Sequence, residues 1–93
     1  MTFSKLDLIG AEETFIVDVQ INIHWLMKDK GVSRKKMRKS LGWSKKYFSK
    51  MFEDDAENLT LRNIAKIFKV LGEDCKITSQ RMQELIPAKI TNS

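Results

Sequence analysis

The sequence predicts an all-α fold of four to five helices. Three observations predict it. Apolar residues recur three and four positions apart over several stretches. Ser33, Ser44 and Thr60 each stand just before such a stretch, where a helix needs an N-cap. Gly31, Gly42 and Gly72 each stand just after one, where a helix ends.

The elements follow in order. Residues 1–10 read as a loose lead-in, with Phe3, Leu6, Leu8 and Ile9 folding back onto the body and Gly10 as punctuation. A long helix is expected from Ala11 to Lys30, with Glu12 and Glu13 in its first turn and Lys28 and Lys30 in its last, as the helix dipole favours. Phe15, Val19, Ile23 and Leu26 form its inward stripe. The same stretch also fits a strand, because Val17, Val19, Ile21, Ile23 and Trp25 alternate with polar residues. The helical remainder offers that strand no partner, which favours the helix. A short helix then runs from Ser33 to Leu41, with Met37 and Leu41 inward. A second runs from Ser44 to Phe52, with Tyr47, Phe48, Met51 and Phe52 on its apolar side. After the acidic loop Glu53–Asn58, a helix capped by Thr60 reaches Leu71 with Leu61, Ile64, Ala65, Phe68 and Leu71 inward. Residues 73–79 could form a short strand, and 79–85 a last helical turn or two before Pro87. Trp25, Trp43 and Cys75 are expected in the core.

Ninety-three residues make one small domain, placed at 11–86 between the lead-in and a frayed tail at 87–93. Hydrophobic residues are 42% and charged residues 31%, too apolar for a disordered chain. No apolar run exceeds three residues, so no membrane span or secretory leader is expected, and the compartment is read as cytoplasmic. One cysteine and one histidine, far apart, hold no metal. Glu12 and Glu13 point to different helix faces and make no catalytic pair. With no nucleophile–base set and no phosphate loop, the chain is read as a non-enzyme without a cofactor.

The net charge is +5, and its location is more informative than its size. Between Ser33 and Lys50 lie eight basic residues, Arg34, Lys35, Lys36, Arg38, Lys39, Lys45, Lys46 and Lys50, and no acidic one. The rest of the chain is mildly acidic. A field concentrated in this way implies a polyanionic partner. The same segment reads as two short helices joined at Gly42, a helix-turn-helix whose second helix can enter the major groove. Phe48 and Met51 supply the apolar back of that helix. Ser44, Lys45, Lys46 and Ser49 supply its polar front.

The pattern Gly-Val-Ser…Met…Leu-Gly-Trp-Ser…Tyr-Phe-Ser, followed by Asn-Leu-Thr-Leu…Ile-Ala-Lys…Leu-Gly, resembles the Cro/phage-repressor class of helix-turn-helix regulators (the XRE type). With the preceding helix, the resemblance covers about residues 11–72. It implies a compact four- to five-helix, lambda-repressor-like bundle that binds a two-fold symmetric operator in double-stranded DNA as a homodimer. It implies base contacts from Lys45, Lys46 and Ser49; Ser44, at the start of the same polar front, is expected to join them. It implies phosphate contacts from Arg34, Lys39 and Lys50; by charge and position Lys35 is expected to join them, and Tyr47 is read at the rim, against the sugar–phosphate backbone or at the core edge. The implied function is a sequence-specific transcriptional regulator, a repressor from a bacterium, phage or other mobile element.

Two departures from the pattern bear on function. Arg38 stands where the family commonly has a small residue, and fits only by reaching outward. The loop Glu53-Asp54-Asp55-Ala56-Glu57 carries four carboxylates where the family often has Gly or Asn beside DNA. That loop and the apolar stretch 15–27 support an alternative on the same fold: a protein-interaction module, such as an antitoxin or an antiactivator that sequesters another regulator.

Overall fold

A computed structural model describes residues 2–85. It holds five α-helices: α1 (Lys5–Asp29), α2 (Arg34–Leu41), α3 (Lys45–Ser49), α4 (Leu61–Val70) and α5 (Gln80–Leu85). A 3₁₀ turn, Lys50–Phe52, continues α3. No strand occurs among the described residues, so both the alternation at 17–25 and the candidate strand at 73–79 resolve without a sheet.

α1 begins six residues before the expected Ala11, and the lead-in is helix from Lys5 onward. The cause is a reciprocal cap. Ser4 Oγ accepts from Asp7 N–H at 3.1 Å, and Ser4 N–H donates to Asp7 Oδ2 at 3.1 Å. Those two bonds, the backbone one first, hold the Asp7 carboxyl below its usual value. Gly10 lies inside the helix, and Asp7 rather than Glu12 or Glu13 is the first-turn acid. Phe3, Leu6, Leu8 and Ile9 do not fold back; all four are exposed.

The two apolar sets of the 17–25 alternation separate on helical geometry. Ile23 is buried and Val19 packs against the core, whereas Val17, Ile21 and Trp25 form an exposed stripe four residues apart. Trp25 is 58% exposed and lies under the Lys28 ammonium, 5.3 Å from its ring, so its expected core place is corrected. Phe15 is also exposed.

The core sits where the C-terminal half of α1 meets α2, α3 and α4. It comprises Ile23, Met27, Met37, Phe48, Met51, Ile67 and Leu71, with Leu26, Val32, Leu41, Trp43, Phe52 and Phe68 packed around it. Three of the seven are methionines, which fill irregular gaps between short helices. Gln20 fastens α1 to the end of the 3₁₀ turn, its amide donating to Met51 O at 2.9 Å and Glu53 O at 3.1 Å.

α4 is capped by Thr60 as expected, Oγ1 accepting from Asn63 N–H at 3.1 Å, but it is rotated from the expected inward face. Asn63, Ile64, Ile67 and Leu71 point inward, while Leu61 and Ala65 stay exposed. Residues 73–79 are exposed and belong to no helix or strand, and Cys75 is an exposed free thiol rather than a buried one. Ser79 caps α5, as its sequence position suggests, through a 3.1 Å bond from Met82 N–H. The tail expected at 87–93 lies outside the described residues.

Candidate nucleic-acid interface

The site is built by two caps and a turn. Ser33 Oγ accepts from Lys36 N–H at 3.1 Å and starts α2. Ser44 Oγ accepts from Tyr47 N–H at 3.0 Å and starts α3. Between them Gly42 takes φ 72, and Trp43 N–H reaches back to Arg38 O at 2.8 Å. That backward bond closes a Schellman motif, which needs a left-handed residue and so needs glycine.

α3 is half sunk into the core. Phe48 and Met51 are fully buried beneath it, and Phe48 stacks edge-on to Phe52 with centroids 5.2 Å apart. Burying those two side chains leaves Lys45, Lys46 and Ser49 on the outward side of one short helix, Lys45 and Ser49 a single turn apart. Ser44, Lys45 and Lys46 are exposed and Ser49 is half-buried. The structure therefore brings the four expected base-facing residues together. The helix they stand on is shorter than expected, giving way to a 3₁₀ turn at Lys50.

The residues expected at phosphate flank that front. Lys35 and Lys39 are exposed, four apart on one side of α2. Arg34 is exposed, with its guanidinium carbon 4.6 Å from the centroid of the Phe52 ring, which ties the start of α2 to the end of the recognition segment. Arg38 is half-buried near the α2–α3 junction. The first turns of α2 and α3 hold lysine and arginine and no carboxylate. Both helix N-termini thus add positive field to a positive surface instead of being neutralised.

Tyr47 and Lys50 are already engaged. The Tyr47 hydroxyl accepts from Asn63 Nδ2 at 2.8 Å, leaving its own proton to donate, and its ring meets Trp43 edge-on at 5.4 Å. Lys50 Nζ lies 2.8 Å from Glu57 Oε2. The hydrogen bond to Glu57, helped by that charge and by Glu53 and Asp55, raises the Lys50 ammonium above its ordinary value. In return the Lys50 hydrogen bond, with its charge and that of Lys46, lowers the Glu57 carboxyl. The acidic loop is thus folded against the end of the recognition segment, turning at Ala56, which is buried at φ 46.

A family model described as the Cro/C1-type HTH DNA-binding domain matches residues 22–78, more than half of the chain. The chain belongs to this family. No curated protein and no solved structure gives a match. The matched span runs from the buried half of α1 to the exposed segment before α5, and so contains the entire core. As a Cro/C1-type domain the chain is a DNA-binding regulator with α2 and α3 as its helix-turn-helix. Among the described residues no helix is long and apolar enough to cross a membrane.

Sequence reasoning missed the residues that hold the recognition segment from behind. Asn63 is 6% exposed, and its amide donates at 2.8 Å both to Tyr47 Oη and to Asn58 O. Asn58 Nδ2 in turn donates to Tyr47 O at 2.9 Å. This network fastens α4 to α3 through a polar residue on an otherwise apolar stripe. A signal was present: Asn63, Ile67 and Leu71 recur four apart, which places the asparagine on the core face of α4.

Proposed function

We propose that this Cro/C1-type protein is a sequence-specific transcriptional repressor that acts as a homodimer on a two-fold symmetric operator. The observation that carries the proposal is the outward face of Ser44, Lys45, Lys46 and Ser49, set on a buried Phe48–Met51 base with no carboxylate between Ser33 and Lys50. In this reading the segment Ser44–Phe52 lies in the major groove. Lys45 and Lys46 donate to guanine O6 and N7, and the serines donate to base edges. Arg34, Lys35, Lys39 and Lys50 neutralise phosphates and set register, with Tyr47 at the groove rim. Four to six neutralised phosphates give log K a slope against log[salt] of roughly −4 to −5 per protomer. Occupancy of a promoter by such a dimer excludes polymerase, which is the simplest route to repression.

Selection from a random duplex pool at about 150 mM salt, well into the screened regime, tests the proposal. Enrichment of a two-fold motif with half-sites about one helical turn apart supports it. Weak, salt-sensitive retention without a motif overturns it.

A second reading is supported by the loop Glu53–Glu57. Its carboxylates crowd the end of the recognition segment, and Glu57 occupies Lys50. A protein partner with a basic surface would be drawn to that loop, as an antiactivator or antitoxin arrangement requires. In that case Lys45→Glu with Lys46→Glu leaves partner capture intact while DNA retention is lost.

A further inference from the structure

Behind the helix-turn-helix, α1, α4 and residues 74–78 enclose a groove of about 560 Å³. None of its lining residues belongs to the basic stretch 33–50. The volume is in the range of small-molecule sites, about 300–1,000 Å³. The α4 wall is wholly apolar. Leu61, Ile64, Ala65 and Phe68 form it, at the spacing of one helix face. Ile64 is buried at its floor, whereas Leu61, with Phe15 and Ile77 on the other two walls, is 51–70% exposed at the rim. Those three side chains have apolar surface left to bury.

The opposite side of the groove is polar, and its chemistry is one-sided. α1 presents Asp18 and Asn22, and the loop presents Asp74. Asn22 Nδ2 donates to the Asp18 backbone carbonyl at 2.7 Å, which spends a donor of that amide and leaves its Oδ1 to accept. The two carboxylates accept only. Neither is in an ion pair among the described residues. Lys76 is the one cation lining the groove among the described residues, so carboxylates outnumber it two to one.

We propose that this groove binds a small amphiphilic primary amine. Its apolar body lies against the α4 wall and Phe15, and its ammonium faces Asp18, Asn22 and Asp74. A primary ammonium carries three donors and no acceptor, which matches two carboxylates and an amide oxygen. Its charge-assisted bonds to the carboxylates are the strong ones, and burial of the rim residues adds to them. An amphiphilic carboxylate or phosphate would instead meet two like charges across the same apolar floor. Lys76 opposes the ammonium and so weakens the site. The proposal does not rest on DNA binding, because no residue of the basic front takes part.

The test is a titration of the full chain, without DNA, with phenylbutylamine and with phenylbutyrate, followed by the amide NMR shifts. The two probes share an apolar body and differ in the sign of their charge. The amine is expected to shift amides of α1, α4 and 74–78 with a Kd of about 1 mM or tighter, and the acid is not. Asp18→Asn with Asp74→Asn keeps shape and removes charge on two exposed residues, and is expected to raise the Kd about tenfold or more. Lys76→Gln is expected to lower it a few-fold. Ala65→Phe, at an exposed position, fills the groove and is expected to abolish the shifts while core amides keep their positions. An amine that moves no groove amide overturns the proposal. So does phenylbutyrate binding as tightly as the amine, or an Asn double variant binding as tightly as the wild type, since the carboxylates then select nothing. Shifts confined to another surface overturn it too, as do groove amides that respond to protein concentration alone because a second copy covers them. The operator reading stands or falls by duplex selection, which uses none of these probes.

Discussion

Glu57 and Asn63 show how single residues set the behaviour of the site. Glu57 holds Lys50 in an exposed ion pair that competes with phosphate for the same ammonium. Glu57→Gln removes the competitor. DNA affinity is expected to rise at moderate salt, and the salt slope to steepen by about 1 as one further phosphate is neutralised. Fluorescence anisotropy across a salt series reads both quantities; an unchanged slope would show that Lys50 contacts no phosphate. Asn63 acts on stability. Asn63→Ala removes two 2.8 Å bonds and leaves the Asn58 carbonyl without that donor, an expected loss of about 1–3 kcal/mol in urea unfolding. The loosened Tyr47 is expected to carry an affinity loss with it. Glu57 was visible in the sequence as part of an acidic loop, but its pairing with Lys50 was not, because that depends on the turn at Ala56 folding the loop back.

At the scale of elements, the devices that were legible in the sequence are local ones. Ser33, Ser44 and Thr60 cap α2, α3 and α4 where expected, because a hydroxyl and the amide three residues on are enough to define a cap. Gly42 ends α2 in the left-handed region, and a Cβ built there meets nothing within 4 Å. Gly42→Ala is therefore strained by backbone conformation alone, an expected cost of about 1–2 kcal/mol in thermal or urea unfolding. The start of α1 was missed because its box uses Asp7 where the usual pattern has Glu or Gln. The face of α4 was misjudged because Leu61 and Ala65 extend a plausible stripe, and only packing against α2 and α3 selects Asn63 and Ile67 instead. The Asp7 box has a pH signature. Its carboxyl is held below the ordinary value, so its contribution is complete above that value and is lost as pH falls through the carboxylate range, below about pH 4. The protection factors of amides in the first turns of α1, taken relative to intrinsic exchange at each pH, are expected to fall there in the wild type. In Asp7→Ala they are expected to be low already at neutral pH, and equal protection factors in the two proteins at neutral pH would rule out the cap as their source.

For the whole molecule, charge and packing divide the chain into two working parts. The basic stretch 33–50 was legible at once, because eight cations without an acid form a pattern that no tertiary structure is needed to see. The half-unpartnered α1 was not, since its apolar residues read equally well as core, as strand or as lead-in until their exposure is known. The core itself is small and lies entirely within the Cro/C1-type span, where it packs the helix-turn-helix, while the first half of α1 stands clear of it. In the proposed reading α3 enters the major groove. N7 methylation interference on the enriched duplex reads this placement, because guanine N7 is exposed only in that groove. Strong interference is expected at guanines in two half-sites about 10 base pairs apart, and Lys45→Glu with Lys46→Glu is expected to retain no duplex at all. Binding that tolerates N7 methylation throughout the site, and is blocked instead by adenine N3 methylation in the minor groove, would contradict it.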